Sequence, residues 1–243
     1  MRIGRNVIDN YGVMLDGVRD KVAEQLLRDL SELDTANVAK FFDEAVAITQ
    51  AACDVSAASA AELAATFYDT LREMQIGEAF GAEPVNARNP VATERAIRSV
   101  EIGKYPDTWP SEVIKRCAER VSSESKRAAG ETVTRNAMRD PAKPKFARVP
   151  SGVETCDFCM MLASRGFMYA SRKAAGENEH YHPNCRCRIV PSFGSTEIEG
   201  YDPDAYYDMW KNPGKHPELR EARNARRREL YADRKGTREQ AGQ

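Results

Sequence analysis

The chain has 243 residues, of which 42% are hydrophobic and 8% aromatic, so it can build one large domain or two smaller ones around a modest core. Charged residues make up 30% of it, and no run of about 18 apolar residues occurs, which argues against a membrane protein. The first residues lack the apolar stretch of a secretory signal, so we expect a soluble protein made in the cytoplasm.

The net charge of −1 conceals opposite charges in two parts of the chain. Residues 1–85 hold 7 Lys and Arg against 15 Asp and Glu, a net of −8, whereas residues 86–243 hold 29 against 22, a net of +7. This asymmetry predicts that the two parts contact different partners, or each other. Ordinary solvated helix faces would give the same counts.

Residues 1–80 are predicted to form an acidic helical bundle. Apolar residues at spacings of three and four mark a first helix, and Asp34 with Thr35 is suited to cap a second. Ser56 or Ser59 is expected to cap a third, alanine-rich helix that stops at Gly77. Their apolar stripes are predicted to be core or partner-facing positions rather than cofactor contacts.

Residues 81–145 are predicted to be a breaker-rich segment followed by a long polar helix and a basic linker. A short helix fits from about Ala92 to Val100, and Pro110 opens the long helix, which runs toward Met138. The sequence Asp140-Pro-Ala-Lys-Pro-Lys then predicts an extended linker, where we place a domain boundary.

Residues 146–194 change in character and predict a small Cys/His-rich α+β module. Strands are expected at Ala147–Pro150, Gly166–Tyr169 and Cys187–Pro191, with a short helix within residues 155–164. Residues 195–243 are predicted to be a polar tail with an Arg-rich helix. The expected fold class is therefore α+β, mainly α: a helical N-terminal bundle, the small module and a charged helical tail.

Potential metal ligands are concentrated in this module, at Cys156, Cys159, His182, Cys185 and Cys187. Thiolates and imidazole at these short spacings suit a tetrahedral structural Zn²⁺, although five candidates compete for four places. Two disulfides, or reduced cysteines packed as small hydrophobic residues, are the alternatives. A catalytic zinc with an open position would need a base such as Glu177 or Glu179.

Basic residues flank the module on both sides. They predict non-specific contacts with DNA phosphates, with simple solvated helix faces as the alternative. The candidate nucleic-acid-binding residues are Lys126, Arg127, Arg135, Lys143, Lys145, Arg226, Arg227 and Arg228.

Two runs within residues 147–194 carry a resemblance to a known family. They are Ala147-Arg-Val-Pro-Ser-Gly-Val-Glu-Thr-Cys-Asp-Phe-Cys-Met-Met-Leu-Ala-Ser-Arg-Gly and Tyr181-His-Pro-Asn-Cys-Arg-Cys-Arg-Ile-Val-Pro. Together they resemble the C-terminal domain of MuF-like head morphogenesis proteins, the minor capsid proteins of tailed phages, in the form found in actinobacterial phages. The His-Pro-Asn-Cys-Arg-Cys element is the most specific part. The N-terminal helices fit that group only in general character.

The resemblance implies a role in procapsid assembly and in packaging or ejection of DNA near the portal. It implies portal, major capsid or scaffolding proteins as partners, and a location in the capsid interior or beside the portal after assembly in the host cytoplasm. The five Cys and His residues of the module correspond to the family's signature.

Other classes of protein fit the sequence less well. A zinc-dependent nuclease of the HNH type could use the string Glu179-His180-Tyr181-His182, but the one remaining histidine is His216, and no familiar spacing follows. Glu177-Asn-Glu179 imitates the acidic pair of ADP-ribosylating toxins without their other motifs. A DNA-binding regulator would need a helix-turn-helix, which the pattern does not show. We therefore expect a virion protein without catalytic activity.

Overall fold

The computed structural model describes residues 2–151, 157–169, 187–194, 197–215 and 217. Within these ranges the chain is mainly helical with a few short strands, which confirms the predicted α+β, mainly α, class. The α-helices are α1 (Arg5–Ser31), α2 (Val38–Ile76), α3 (Pro90–Arg98), α4 (Trp109–Arg139), α5 (Asp157–Ala163) and α6 (Pro203–Lys211). The strands are β1 (Arg2–Ile3), β2 (Lys145–Pro150), β3 (Cys187–Ser192) and β4 (Glu197–Ile198), and 3₁₀ turns cover Ile102–Lys104 and Pro213–Lys215.

Helix α2 is one continuous helix of 39 residues, about 58 Å long at 1.5 Å per residue. The predicted break at Ser56 or Ser59 is wrong, because Ser56 is a buried residue inside the helix and no glycine or proline interrupts the alanine-rich stretch. The helix is capped by Asn37, whose side chain accepts a hydrogen bond from the Lys40 N–H, rather than by Asp34 or Thr35. The predicted stop at Gly77 is confirmed, since this residue has the left-handed φ of 87°.

Helices α1, α2 and α4 form the bundle. The Phe41 and Trp109 rings meet near the starts of α2 and α4, at 4.9 Å between centroids, and the Tyr68 hydroxyl reaches Asp140 just beyond the end of α4. The two long helices therefore run in the same direction. Helix α1 runs the opposite way, because Tyr11 near its start stacks on Phe67 near the end of α2, at 3.9 Å.

Helix α4 is the central helix of the fold. The sequence predicts a long polar helix here, and both the proline-led start and the end near Met138 are confirmed. The polar residues of its second half are nevertheless buried, among them Glu124, Thr132 and Asn136. These groups are satisfied by a segment that the sequence does not identify as a partner.

That segment is the return strap, residues 78–89, which runs back along α4 from its end toward its middle. Asn136 bonds the backbone of Glu83 through both its amide nitrogen and its oxygen, at 2.8 and 3.0 Å. The Thr132 hydroxyl accepts from the Val85 N–H at 3.0 Å, and Glu124 accepts from the Asn89 N–H at the same distance. Side chains of α4 thus take the place that a neighbouring strand would have in a sheet.

A second helix also holds the strap. The Asp69 carboxylate of α2 accepts three backbone N–H groups, from Phe80, Gly81 and Ala82, at 2.8 to 3.1 Å. Because a carboxylate that accepts several N–H groups makes charge-assisted hydrogen bonds, this contact fixes the beginning of the strap.

Strands β2 and β3 form an antiparallel pair in which Lys145 lies opposite Ser192 and Pro150 opposite Cys187. Strands β1 and β4 form a second, parallel pair. One hydrophobic cluster includes Tyr11 and Phe67 of the bundle together with Phe146, Leu162 and Ile189 of the module. The predicted domain boundary near residue 145 coincides with the start of β2, and apolar packing continues across it.

Two local predictions in this region are wrong. The expected strand Gly166–Tyr169 is a turn in which Tyr169 alone bridges Phe146, because Gly166 has a φ of 60° and turns the chain. The expected extended linker after α4 is a tight turn, since the Asp140 side chain accepts from the Ala142 N–H at 2.8 Å. The expected Arg-rich helix of the tail lies outside the described residues.

Candidate functional site: the junction of bundle and cysteine module

Two of the five predicted metal ligands lie in the described part of the chain. Cys159 is on α5 and Cys187 begins β3, and both are buried, at 2% and 5% exposure. Cys156, His182 and Cys185 lie outside the described residues. Within the described ranges no three metal-ligating side chains form a group.

The strand register sets which side chains share a face of the β2–β3 pair with Cys187. Residues directly opposite each other in an antiparallel pair share a face, so Cys187 shares its face with Pro150 and, two residues along, with Arg148. The same face carries Phe146, whose ring stacks on Tyr169 at 6.0 Å. Tyr169 donates a hydrogen bond to the Leu162 carbonyl of α5, the helix that carries Cys159.

Buried and half-buried tyrosine side chains lie near Cys187 and the end of α5. The Tyr201 hydroxyl donates to the Ala163 carbonyl at 2.6 Å, and burial raises the pKa of Tyr201 above its ordinary value, with a smaller contribution from Cys187. Burial likewise raises the pKa of Tyr206, which is also near Cys187. Buried thiols in such a region are suited to bind Zn²⁺ as thiolates, because coordination removes their protons.

The other face of the β2–β3 pair packs on the bundle through Arg188. This arginine is only 4% exposed, and its Nη2 donates to the Gly12 carbonyl at 3.4 Å and to Asp16 Oδ1 at 3.3 Å. A small cleft lies beside it, with a cavity volume of about 10 Å³, which is room for about one water-sized species. Helices α1 and α4 and strand β3 line it, through Tyr11, Leu15, Lys126, Ala129, Gly130, Cys187, Arg188 and Ile189.

The predicted DNA-binding residues on α4 differ in their burial and in their ion pairs. Lys126 is buried, at 7% exposure, and lines this cleft. Arg135 is exposed, but its Nε pairs with Glu131 at 2.7 Å one turn earlier. The guanidinium of Arg127 lies 4.0 Å from buried Glu124.

The turn after α4 presents the other described candidates to solvent. Lys143 and Lys145 are both exposed, and Lys143 has a positive φ of 48°, which is uncommon outside glycine. Pro144 between them is buried and anchors the turn. Arg226, Arg227 and Arg228 lie outside the described residues.

A buried ion pair at the junction was not identified from the sequence. Arg72 of α2 bonds Asp140 through Nε at 2.8 Å, and both are buried, at 6% and 2% exposure. Tyr68, one helical turn before Arg72, also donates to Asp140, at 3.0 Å. The guanidinium lies 5.8 Å from the Phe80 ring centroid of the strap and 5.9 Å from that of Phe193, just after β3. One arginine thus joins α2, α4, the strap and the module. The one sign of this contact in the sequence is the four-residue spacing of Tyr68 and Arg72, which puts both on one face of a helix.

The family of the chain is shown by a match along most of the sequence rather than by this site alone. A family model described as VG15 protein matches residues 2–213. The chain belongs to this family. The match includes the bundle, the strap and the described part of the cysteine module.

Two curated relatives of this VG15-family chain come from mycobacteriophages. It is similar to the Gene 15 protein of Mycobacterium phage D29, with 26% identity over 226 residues, covering 72% of this chain and 80% of the relative. It is also similar to the Gene 15 protein of Mycobacterium phage L5, with 28% identity over 188 residues, covering 60% of this chain and 63% of the relative. No solved structure matches the chain.

The remaining described cysteines of the VG15-family chain lie in the bundle. Cys53 of α2 and Cys117 of α4 are free thiols buried in one apolar cluster. Burial raises the pKa of Cys53 to about 12 and that of Cys117 to about 11, so neither is a reactive thiolate near neutral pH. They are structural residues and serve as controls for the cysteines of the module.

None of the helices within the described ranges is both long and apolar enough to cross a membrane. The longest, α2, carries charged residues at intervals along its length, among them Asp43, Glu62 and Arg72.

Proposed function

We propose that this chain is a structural protein of a tailed-phage head, a minor capsid protein of the MuF-like type that acts near the portal in procapsid assembly and in packaging or ejection of DNA. The observation that carries the proposal is membership of a family with relatives encoded by two mycobacteriophages. The MuF-like motif run of residues 147–194 supports it further, since its described parts form β2, α5 and β3 of one packed module.

The described geometry favours binding over chemistry. The cleft at the junction has room for about one water-sized species, which is far too small for a substrate. Elsewhere at the junction, the buried ionisable groups Arg72 and Asp140 are bound to each other rather than directed at open space. We therefore propose a non-enzymatic role, in which the bundle is a rigid support for contacts with other head proteins.

Co-assembly with head proteins tests the proposal directly. The tagged full-length chain is co-expressed with the portal, major capsid or scaffolding protein of the same phage, and its capture is measured. We expect the acidic bundle to make the contact, so Glu24→Lys with Glu62→Lys, two exposed positions, should lower capture at low salt. Lys143→Glu, in the turn after α4 rather than in the acidic bundle, is the control and should leave capture unchanged. If none of the three proteins is captured and the chain is absent from purified virions by mass spectrometry, the head role is wrong.

We also propose that the cysteine module holds one structural Zn²⁺, bound by four of Cys156, Cys159, His182, Cys185 and Cys187. Zinc would stabilise a small module that lacks a large core of its own. Elemental analysis of protein purified without chelator should find about one zinc per chain. Cys159→Ser should lose the zinc and raise hydrogen exchange in β3, whereas Cys53→Ser should keep it.

The Cys53→Ser variant is informative because it also removes a buried thiol, but from the bundle. If both variants retain about one zinc, Cys159 is not one of the four ligands. If the wild-type protein holds no zinc, and mass analysis without reductant finds linked cysteines, disulfides stabilise the module instead.

A further inference from the structure

Residues 83–98, the second half of the strap together with α3, form a cover on one side of the parallel helices α2 and α4. Arg88 of the cover forms an ion pair with Asp54 of α2, and Arg98 forms one with Asp43, three turns earlier in the same helix. The cover therefore runs antiparallel to the first half of α2. Its hydrogen bonds to α4 place it across the groove between the two long helices.

Polar contacts rather than apolar packing hold the cover in place. Asn136, Thr132 and Glu124 of α4 bind its main chain. Of the residues in the cover, only Thr93 and Ile97 are buried, and the Thr93 hydroxyl also bonds Glu124. A helix as short as α3, with nine residues, is not stable alone in water. The cover therefore gives up little apolar contact when it leaves the bundle, whereas α2 buries apolar residues along most of its length.

Both ends of the cover are fixed to the bundle, and a glycine lies beside each fixed point. Before the cover, the Asp69 carboxylate holds the chain around Gly81, which has a left-handed φ of 77°. After it, Val100 and Ile102 pack against the apolar cluster of the bundle, and Gly103 follows. A Cβ at Gly81 or Gly103 would have nothing within 4 Å. Loop positions of this kind can absorb the backbone rotation of a hinge.

We propose that the cover opens from the bundle as one unit, with hinges at Gly81 and Gly103, while α1, α2 and α4 stay folded. When it is closed, Thr132 and Asn136 bind the main chain of the cover. When it is open, water takes over these hydrogen bonds, and Ile97 is the one large apolar side chain that leaves the core. The groove between α2 and α4 is then accessible to another chain, and it is hidden in the closed form.

Native-state hydrogen exchange of the full-length protein, followed by NMR at low urea concentrations, measures the opening directly. The N–H groups of Glu83, Val85 and Asn89 are bonded to side chains of α4 in the closed form, so they exchange when the cover lifts. We expect these three amides and that of Ile97 to share one rate of opening that changes little with urea. Buried amides in the middle of α2 should exchange at least about a hundredfold more slowly.

Ile97→Ala and Ile8→Ala are a matched pair of variants, because both isoleucines have 0% exposure but belong to different apolar clusters. Ile97→Ala weakens the closed form, so exchange at Glu83, Val85 and Asn89 should become at least about thirtyfold faster. Ile8→Ala weakens the bundle equally in the closed and open forms. It should therefore leave exchange in the cover unchanged and accelerate exchange in α2 alone.

Either of two results would overturn the proposal. Equal acceleration by Ile8→Ala in the cover and in α2 would mean that the cover opens only when the whole bundle unfolds. Exchange at Glu83 and Val85 that does not respond to Ile97→Ala would mean that the strap moves without α3. Circular dichroism establishes that each variant is folded, and Ile97→Val with Ile8→Val repeats the comparison if an alanine variant does not fold.

Discussion

Replacing Asp140 with asparagine is expected to lower the free energy of unfolding by about 3 kcal/mol or more. The change leaves the Arg72 guanidinium buried between Phe80 and Phe193 without its buried counter-charge. The carboxylate of Glu78, at 3.3 Å, remains, but its side chain is 73% exposed and screened by water. Urea unfolding, with the midpoint and slope compared with those of the wild type, measures the loss.

Asp43→Asn is the matched control, because it breaks an arginine pair of the same kind on the surface. Asp43 bonds Arg98 at 2.7 Å, with side-chain exposures of 68% and 42%, so its loss should cost less than about 1 kcal/mol. The double variant Arg72→Met with Asp140→Leu should recover part of the stability, since it leaves no buried charge behind. Equal losses for Asp140→Asn and Asp43→Asn would show that the buried pair has no special role.

The free energy of unfolding should also depend on pH through the ionisation of Asp140 in the same pair. Burial alone would raise the pKa of Asp140, but hydrogen bonds from Arg72, the Ala142 N–H and Tyr68, with the guanidinium charge, lower it overall. Because the pKa of Asp140 is lowered in the folded state, the pair stabilises the fold fully above the ordinary carboxyl pKa of about 4. This stabilisation is lost as the pH falls from there through the folded-state pKa. Asp140→Asn should therefore unfold with a weaker dependence on acid than the wild type.

Binding to DNA is expected to weaken on the order of a thousandfold when salt is raised from about 50 to about 200 mM, if about six phosphates are neutralised. The reason is counterion release, which needs positive charge but no base-reading geometry. Fluorescence anisotropy with a duplex of arbitrary sequence measures the slope. The same mixtures with Mg²⁺, Mn²⁺ or Zn²⁺ should leave plasmid DNA uncut.

Variants separate the exposed cations from the paired ones. Lys143→Gln with Lys145→Gln should reduce the salt slope by about 2, and replacing Arg226, Arg227 and Arg228 with glutamine should flatten it further. Arg98→Gln is the control, because Asp43 and Glu94 already bind this arginine and it should not contact phosphate. A DNA affinity that does not change with salt concentration would contradict the phosphate contacts. Metal-dependent cutting of DNA that is lost in His182→Ala would favour a nuclease instead.

The sequence predicted well those features that depend on neighbouring residues. The proline-led start of α4, the stop at Gly77 and the strands β2 and β3 are each set by the conformational limits of a few adjacent residues. The single helix α2 was missed because serine also fits helix interiors where a neighbouring helix packs closely. No local signal distinguishes a buried Ser56 from a capping one.

The burial of α4 could not be predicted for a different reason. Glu124, Thr132 and Asn136 look like a solvent-facing stripe, and their partners are backbone atoms of a strap some 35 to 53 residues away in the chain. Arg72 and Asp140 are similarly remote from each other, at positions 68 apart in the sequence. Of the predicted metal set, the structure describes Cys159 and Cys187, which are both buried, and the other three stay a prediction.

The way in which the strap is held also has a consequence for how the family is expected to vary. Asp69, Thr132 and Asn136 bind main-chain atoms of the strap, which every amino acid supplies, while the strap side chains of Glu83, Pro84 and Asn86 face solvent. Substitutions at these three solvent-facing strap positions should therefore accumulate freely, so long as proline avoids the donating positions. Substitutions at the three helix positions should be rare, although those positions look unremarkable and polar in any single sequence. An alignment of phage relatives that is anchored on these helix positions should thus stay in register where the strap itself has diverged beyond recognition.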